Sequence, residues 1–93
     1  MSWSPPNVFK ALGEPTRLRL LQALLHEERC VHDLSESLEI EQSAVSHQLR
    51  VLRNLRLVAR RKQGRHAYYA LEDQHIRTLL EVAIEHIEHT PAG

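Results

Sequence analysis

The spacing of apolar residues changes near Leu57 from the period of a helix to that of a strand, and this change restricts the fold more than any other feature of the sequence. Before it, apolar residues recur every three or four positions, which predicts a helix over residues 43–55. After it, residues alternate with a period of two on both sides of Gly64-Arg65, which predicts a β-hairpin over residues 57–71. The sequence therefore indicates a mainly α chain with a small β-hairpin.

Three further helices are predicted before this segment and one after it. The first follows a short arm, residues 1–6, and ends at Gly13. The second opens at Pro15 and carries leucines on its inner face as far as Leu25. Asp33 and Glu36 are spaced as a capping box, so the third is expected to start at Asp33. The last spans residues 73–89, with Asp73 as its expected N-cap, and the whole chain, residues 1–93, is expected to form one domain.

Residues 33–55 have the pattern of a helix-turn-helix, two short helices joined by a tight link, and the hairpin that follows makes it a winged helix-turn-helix. The net charge is zero, yet residues 42–71 hold seven basic side chains and no acidic one. A local basic block of this kind favours phosphate. A solvated helix face is the alternative, and the basic hairpin argues against it. We therefore expect double-stranded DNA to contact Ser43, Ser46, His47, Arg50 and, at the wing, Arg65.

Composition narrows the class of protein further. The single cysteine rules out an internal disulfide, and no apolar run is long enough to cross a membrane. No leader with a charged, an apolar and a small-residue region opens the chain, and the single cysteine fits the reducing cytoplasm, where the protein is expected. Ninety-three residues bury little core of their own, which makes a partner subunit an expectation as well.

The last helix carries potential metal ligands in two pairs, Asp73 with His75 and His86 with His89. His75 and His86 share a face but lie about 16 Å apart along a helix, so one helix cannot close a site. Two copies running antiparallel about a twofold axis can, because the early pair of one then meets the late pair of the other. The apolar residues between the pairs have the spacing of a helix–helix seam, which predicts a homodimer through the terminal helices.

Several segments resemble the SmtB/ArsR family of bacterial metal-sensing repressors over nearly the whole chain. They are FKALGEPTRLRLLQALL, CVHDLSESL, SAVSHQLRVLRNLRLV and RKQGRHAYYAL. The C-terminal pattern, Asp-x-His followed after ten residues by His-x-x-His, is similar to the subgroup whose zinc sites bridge the C-terminal helices of a dimer. The resemblance implies zinc bound by Asp73 and His75 of one subunit with His86 and His89 of the other. It also implies a repressor that binds operator DNA without metal, releases it when zinc binds, and so derepresses metal efflux or sequestration genes.

Other interpretations stay open at this point. The same ligands suit cobalt(II) or nickel(II). Cys30 with His32 or Asp33 is a candidate second site, although the Cys-x-Cys motif of other subgroups is absent. A winged-helix regulator without metal control is a further alternative. A metallohydrolase is disfavoured because four ligands leave no open coordination position, so neither an enzyme nor a small-molecule substrate is expected.

Overall fold

The computed structural model describes residues 5–88, which form five helices and a two-stranded antiparallel sheet. The predicted fold class, a mainly α winged helix-turn-helix, is confirmed. The elements are α1 (Pro5–Leu12), α2 (Pro15–Ala23), α3 (Val31–Leu38), α4 (Gln42–Asn54), β1 (Val58–Gln63), β2 (His66–Leu71) and α5 (Gln74–Glu88). The helix-turn-helix is α3 with α4, and α4 is its second, or recognition, helix. The wing is β1 with β2.

Three boundaries differ from the expected ones by two residues, and the others by no more than one. Helix α1 already begins at Pro5, so the end of the expected arm is helical, while residues 1–4 lie outside the described residues. The α3 helix begins at Val31 with Cys30 as N-cap, so the predicted capping box starting at Asp33 is wrong. The α2 helix stops at Ala23, and Leu25 is buried in the loop that follows it rather than on the helix.

The core lies between α2, α3, α4 and the base of the wing. It contains only apolar side chains and one tyrosine, and no polar or charged side chain is buried among residues 8–88. Six leucines have no exposed surface at all, and each contributes about 1.5–3 kcal/mol on burial. They are Leu20, Leu21, Leu24, Leu34, Leu49 and Leu52.

Both helices of the helix-turn-helix end through a residue in the left-handed region. Arg56 has φ 60°, and beyond α4 the Leu57 amide donates to the Leu52 carbonyl at 2.9 Å. Glu39 has φ 56°, and the Ile40 amide donates to the Ser35 carbonyl at 3.1 Å. These six-to-one bonds satisfy carbonyls that each helix end would leave open, as in a Schellman motif. They fix the direction in which the chain leaves each helix.

The wing pairs Val58 with Leu71 at its base and Gln63 with His66 at its end, with Gly64-Arg65 as the turn. Gly64 has φ 63°, a conformation that glycine adopts without steric cost. A third segment joins the sheet, because Arg29 and Tyr69 exchange both backbone hydrogen bonds, at 2.9 and 2.8 Å. The loop between α2 and α3 is thus tied to the middle of β2.

Candidate nucleic-acid interface and metal half-site

One face of α4 is exposed and polar while the other is buried. Val45, Leu49 and Leu52 are fully buried on the inner face. The residues predicted to contact DNA are all exposed and follow helical spacing on the outer face: Ser43, Ser46, His47 and Arg50. The structure therefore places these four side chains on one surface of α4. The two serines lie towards the start of the helix, and the arginine lies further along it.

Two polar contacts hold α4 against the helices beneath it. The Arg17 Nε atom in α2 donates to the Gln48 Oε1 atom at 2.9 Å. At the start of α4, the Gln42 side chain lies 3.3 Å from the Nδ1 atom of His32 in α3. The sequence indicated a core helix for α2 but gave no sign that Arg17 would contact the recognition helix, since the two residues are 31 positions apart.

The wing places Arg65 at its exposed tip, beside Gly64. All seven basic side chains of residues 42–71 are exposed. Arg61 differs from the other six because its guanidinium contacts the Glu28 carboxylate. Sequence reasoning counted Arg61 in the basic block and missed its acidic partner, which lies in the loop before α3.

Asp73 and His75 stand together at the start of α5. The Asp73 side chain caps the helix, since its Oδ1 atom accepts the Ile76 amide at 3.0 Å, as the sequence predicted. The same Oδ1 atom lies 3.7 Å from the Nδ1 atom of His75. Two ligand atoms of a tetrahedral zinc, each about 2.0–2.1 Å from the metal, lie about 3.4 Å apart. The pair therefore fits half of a zinc site with little movement, and both side chains face solvent.

The other predicted ligands lie at the far end of α5. His86 is exposed, and eleven residues of helix separate it from His75, about 16 Å. His89 lies outside the described residues. Within residues 5–88, no group of three or more His, Cys, Asp or Glu side chains could hold a metal ion. In the predicted arrangement, the other half of the site comes from a second chain.

The outer stripe of α5 between these ends is apolar. Leu80 is buried against the domain, whereas Leu79 is 41% exposed and Val82 is 59% exposed. Phe9 on α1 is also exposed, by 64%. Large apolar side chains left in water on two terminal helices are the property expected of an interface between subunits.

Cys30 is half-buried as the N-cap of α3 and makes no capping hydrogen bond through its side chain. Its neighbour His32 already has a partner near each ring nitrogen: Glu36 at 3.3 Å from Nε2 and Gln42 near Nδ1. Cys30, His32 and Asp33 do not form a three-ligand group. In the described part of the chain, no helix is long and apolar enough to cross a bilayer.

Comparison with known proteins identifies the family of this chain. Residues 14–60, half of the chain, match the model of the arsR family of bacterial regulatory proteins. The chain belongs to this family. Among curated relatives of this ArsR-family protein, a transcriptional repressor SmtB homolog of Synechocystis sp. is 46% identical over 82 residues, 88% of this chain and 62% of that protein. A cadmium resistance regulatory protein CadC homolog of Staphylococcus aureus is 41% identical over 81 residues, 86% of this chain and 67% of that protein. The chain thus spans less than two thirds of the Synechocystis relative.

Solved structures are similar over most of the ArsR-family chain. The solution structure of apo-NmtR is 48% identical, with a TM-score of 0.83 over 95% of this chain and 74% of that one. A homodimeric winged helix-turn-helix DNA-binding domain, Mb0332 of Mycobacterium bovis, is 27% identical, with a TM-score of 0.81 over 99% of this chain and 97% of that one. The resemblance to the SmtB/ArsR family is therefore confirmed.

Proposed function

We propose that this ArsR-family protein is a metal-responsive transcriptional repressor that acts in the cytoplasm as a homodimer. The metal-free dimer binds operator DNA through α4 and the wing. Zinc, or cobalt(II) or nickel(II), then binds two symmetry-related sites between subunits and releases the DNA, which derepresses genes for metal efflux or sequestration. The observation that carries the proposal is the Asp73–His75 pair, placed within ligand distance at the start of a helix whose outer stripe is apolar.

The donor set supports a regulatory site more than a hydrolytic one. Asp73 and His75 of one protomer, with His86 and His89 of its partner, supply four nitrogen and oxygen ligands, which fill a tetrahedral shell and leave no position for substrate. A bound metal would supply a cross-link between the two α5 helices. The cadmium resistance named for the Staphylococcus aureus relative is consistent with metal sensing of this general kind. Nothing in the donor set calls for an enzyme activity.

A short backbone route links this half-site to the recognition helix. The residue before Asp73 is Glu72, whose amide donates to the Leu57 carbonyl at 3.0 Å. The Leu57 amide in turn donates to the Leu52 carbonyl in the last turn of α4. A change in how the two α5 helices pack would therefore move the end of α4 through two hydrogen bonds. Metal can loosen DNA only if it favours a dimer geometry that suits the operator poorly.

The test measures DNA affinity with and without zinc at one fixed salt concentration. The duplex is selected from a random library by the metal-free protein, and binding is followed by fluorescence anisotropy. We expect zinc to weaken binding by about 5- to 150-fold, the range of typical coupling free energies. His75→Ala should abolish that effect and leave metal-free affinity near wild type. His26→Ala, an exposed histidine in the loop after α2, is the matched control and should behave as wild type.

A DNA affinity that zinc does not change in the wild-type protein would end the metal-sensing proposal and leave a winged-helix regulator without metal control. Coupling that survives in His75→Ala but is lost in Cys30→Ser would move the site to α3. An X-ray absorption spectrum provides a second check, because a zinc–sulfur shell near about 2.3 Å is expected only if Cys30 is a ligand.

A further inference from the structure

The outer part of the wing extends well beyond its backbone attachment to the domain. The Arg29–Tyr69 bridge is at the level of the Arg60–Tyr69 pair, and three more pairs and the turn follow towards the tip. Three residues of strand span about 10 Å. The position of Arg65 relative to α4 therefore depends on whatever holds this outer segment.

A side-chain contact holds this outer segment at the Arg61–Tyr68 pair, the first pair beyond the bridge. The Arg61 Nε atom donates to the Glu28 Oε2 atom at 3.2 Å, and the Arg61 Nη2 group donates to the other oxygen of the same carboxylate. The Nη1 group donates to Gln63 Oε1 at 2.8 Å. The guanidinium carbon lies 5.1 Å from the centre of the Tyr68 ring, on the neighbouring strand. Three nitrogens and one face of Arg61 are thus engaged at once.

The Arg61–Glu28 contact is an ion pair, and it lies on one face of the wing. Hydrogen bonds from Arg61 lower the pKa of Glu28, because they favour the ionised carboxylate. Arg61 shares a sheet face with its pair Tyr68, whereas Arg60 and Lys62 alternate to the other face. Among the seven basic residues of positions 42–71, only Arg61 has a carboxylate partner within the described part of the chain.

We propose that Glu28 is a positioning residue for DNA binding, which keeps Arg61 away from phosphate and sets the tilt of the wing. The proposal rests on the DNA-binding function proposed above. A carboxylate and a phosphate present similar oxygen pairs to the same guanidinium fork, so the two compete for Arg61. Glu28 lies two residues before the N-cap of α3. Its contact with Arg61 therefore fixes the position of the wing relative to the helix-turn-helix.

Two substitutions of this pair should therefore change the salt dependence of DNA binding in different ways. Glu28→Gln frees a cation at the wing and should steepen the slope of log affinity against log salt by about 0.9. When the salt concentration rises fourfold, Glu28→Gln should therefore lose about 3.5-fold more DNA affinity than wild type loses. Arg61→Gln removes a cation that contacts no phosphate, so the slope should stay as in wild type. The double variant Glu28→Gln with Arg61→Gln should also keep the wild-type slope.

The experiment compares these three variants and wild type on one selected duplex over a series of salt concentrations. Glu27→Gln is the matched control, since it removes the same charge one residue away and its partner is Arg29 rather than Arg61. Its slope should equal that of wild type. Amide hydrogen exchange by NMR checks the hold on the wing: Glu28→Gln and Arg61→Gln should both exchange faster than Glu27→Gln at residues 62–67.

A slope that falls by about 0.9 in Arg61→Gln would show that Arg61 contacts phosphate and would overturn the proposal. The proposal is equally overturned if Glu28→Gln and Glu27→Gln have equal slopes, or if exchange at residues 62–67 is equal in all variants. Wild-type protein that binds no duplex would refute the DNA-binding function itself, a failure seen before any variant is compared.

Discussion

The exposed stripe of α5 allows a quantitative test of the dimer. Val82 is 59% exposed in the single chain, although its neighbour Leu80 is buried. Fully burying a valine stabilises by about 1.5–3 kcal/mol, and a twofold interface buries two copies. Scaling by the exposed fraction gives about 1.8–3.5 kcal/mol for the pair. Val82→Ser should therefore weaken the dimer by about 20- to 300-fold.

Sedimentation equilibrium of the metal-free protein measures that loss directly. Glu81→Gln is the control, because Glu81 is an exposed polar residue on a different side of the same helix. Thermal unfolding of the dissociated monomers should not distinguish Val82→Ser from the control, since the valine is mostly in solvent there. If Val82→Ser self-associates as tightly as wild type, the seam is elsewhere. The inter-subunit metal site would then have to be abandoned with it.

Three further outcomes follow from particular residues. Arg65→Ala should weaken binding to all duplexes alike and reduce the salt slope by about 0.9, which an altered base preference at constant slope would contradict. Glu39→Gly should raise the free energy of unfolding by about 0.5–1 kcal/mol in urea titrations, because glycine adopts φ 56° without the cost borne by glutamate, whereas Glu39→Ala should not. In Arg61→Gln, the NMR titration midpoint of the Glu28 carboxyl should rise, since the hydrogen bonds that lower its pKa are gone. In wild type that contact stabilises the fold above the unfolded-state pKa of Glu28, and its contribution is lost as pH falls through the lower folded-state value.

The parts of the fold that follow local rules were predictable. The change of period near Leu57 gave α4 and the wing, since side chains repeat every 3.6 residues in a helix and every two in a strand. Gly64-Arg65 gave the turn, and the cap by Asp73 followed from its place before an amphipathic run. Each of these depends on neighbours within a few residues.

The parts set by distant contacts were not predictable from the sequence alone. The α3 helix begins at Val31, two residues after Arg29 forms its bridge to Tyr69, and its N-cap Cys30 has an extended backbone with ψ 169°. A bridge across 40 positions overrides the local capping signal of Asp33. The contact of Arg61 with Glu28 spans 33 positions and leaves no periodic trace in the sequence. The metal ligands remain a prediction, because their second half comes from a partner subunit and from His89.

Leu57 takes part both in the local end of α4 and in a contact with a distant segment, the residue before Asp73. Arg56 has a left-handed backbone conformation, which costs a non-glycine residue about 1–2 kcal/mol. The hydrogen bonds of the Arg56 and Leu57 amides to carbonyls of α4 hold it in that conformation. In return, the Leu57 amide closes the end of α4 while its carbonyl receives the amide that precedes Asp73. The side chain of Leu57 is buried, so the junction cannot slide without disturbing the core. The Leu57 backbone therefore joins the residue before Asp73 to the last turn of α4 through two consecutive hydrogen bonds.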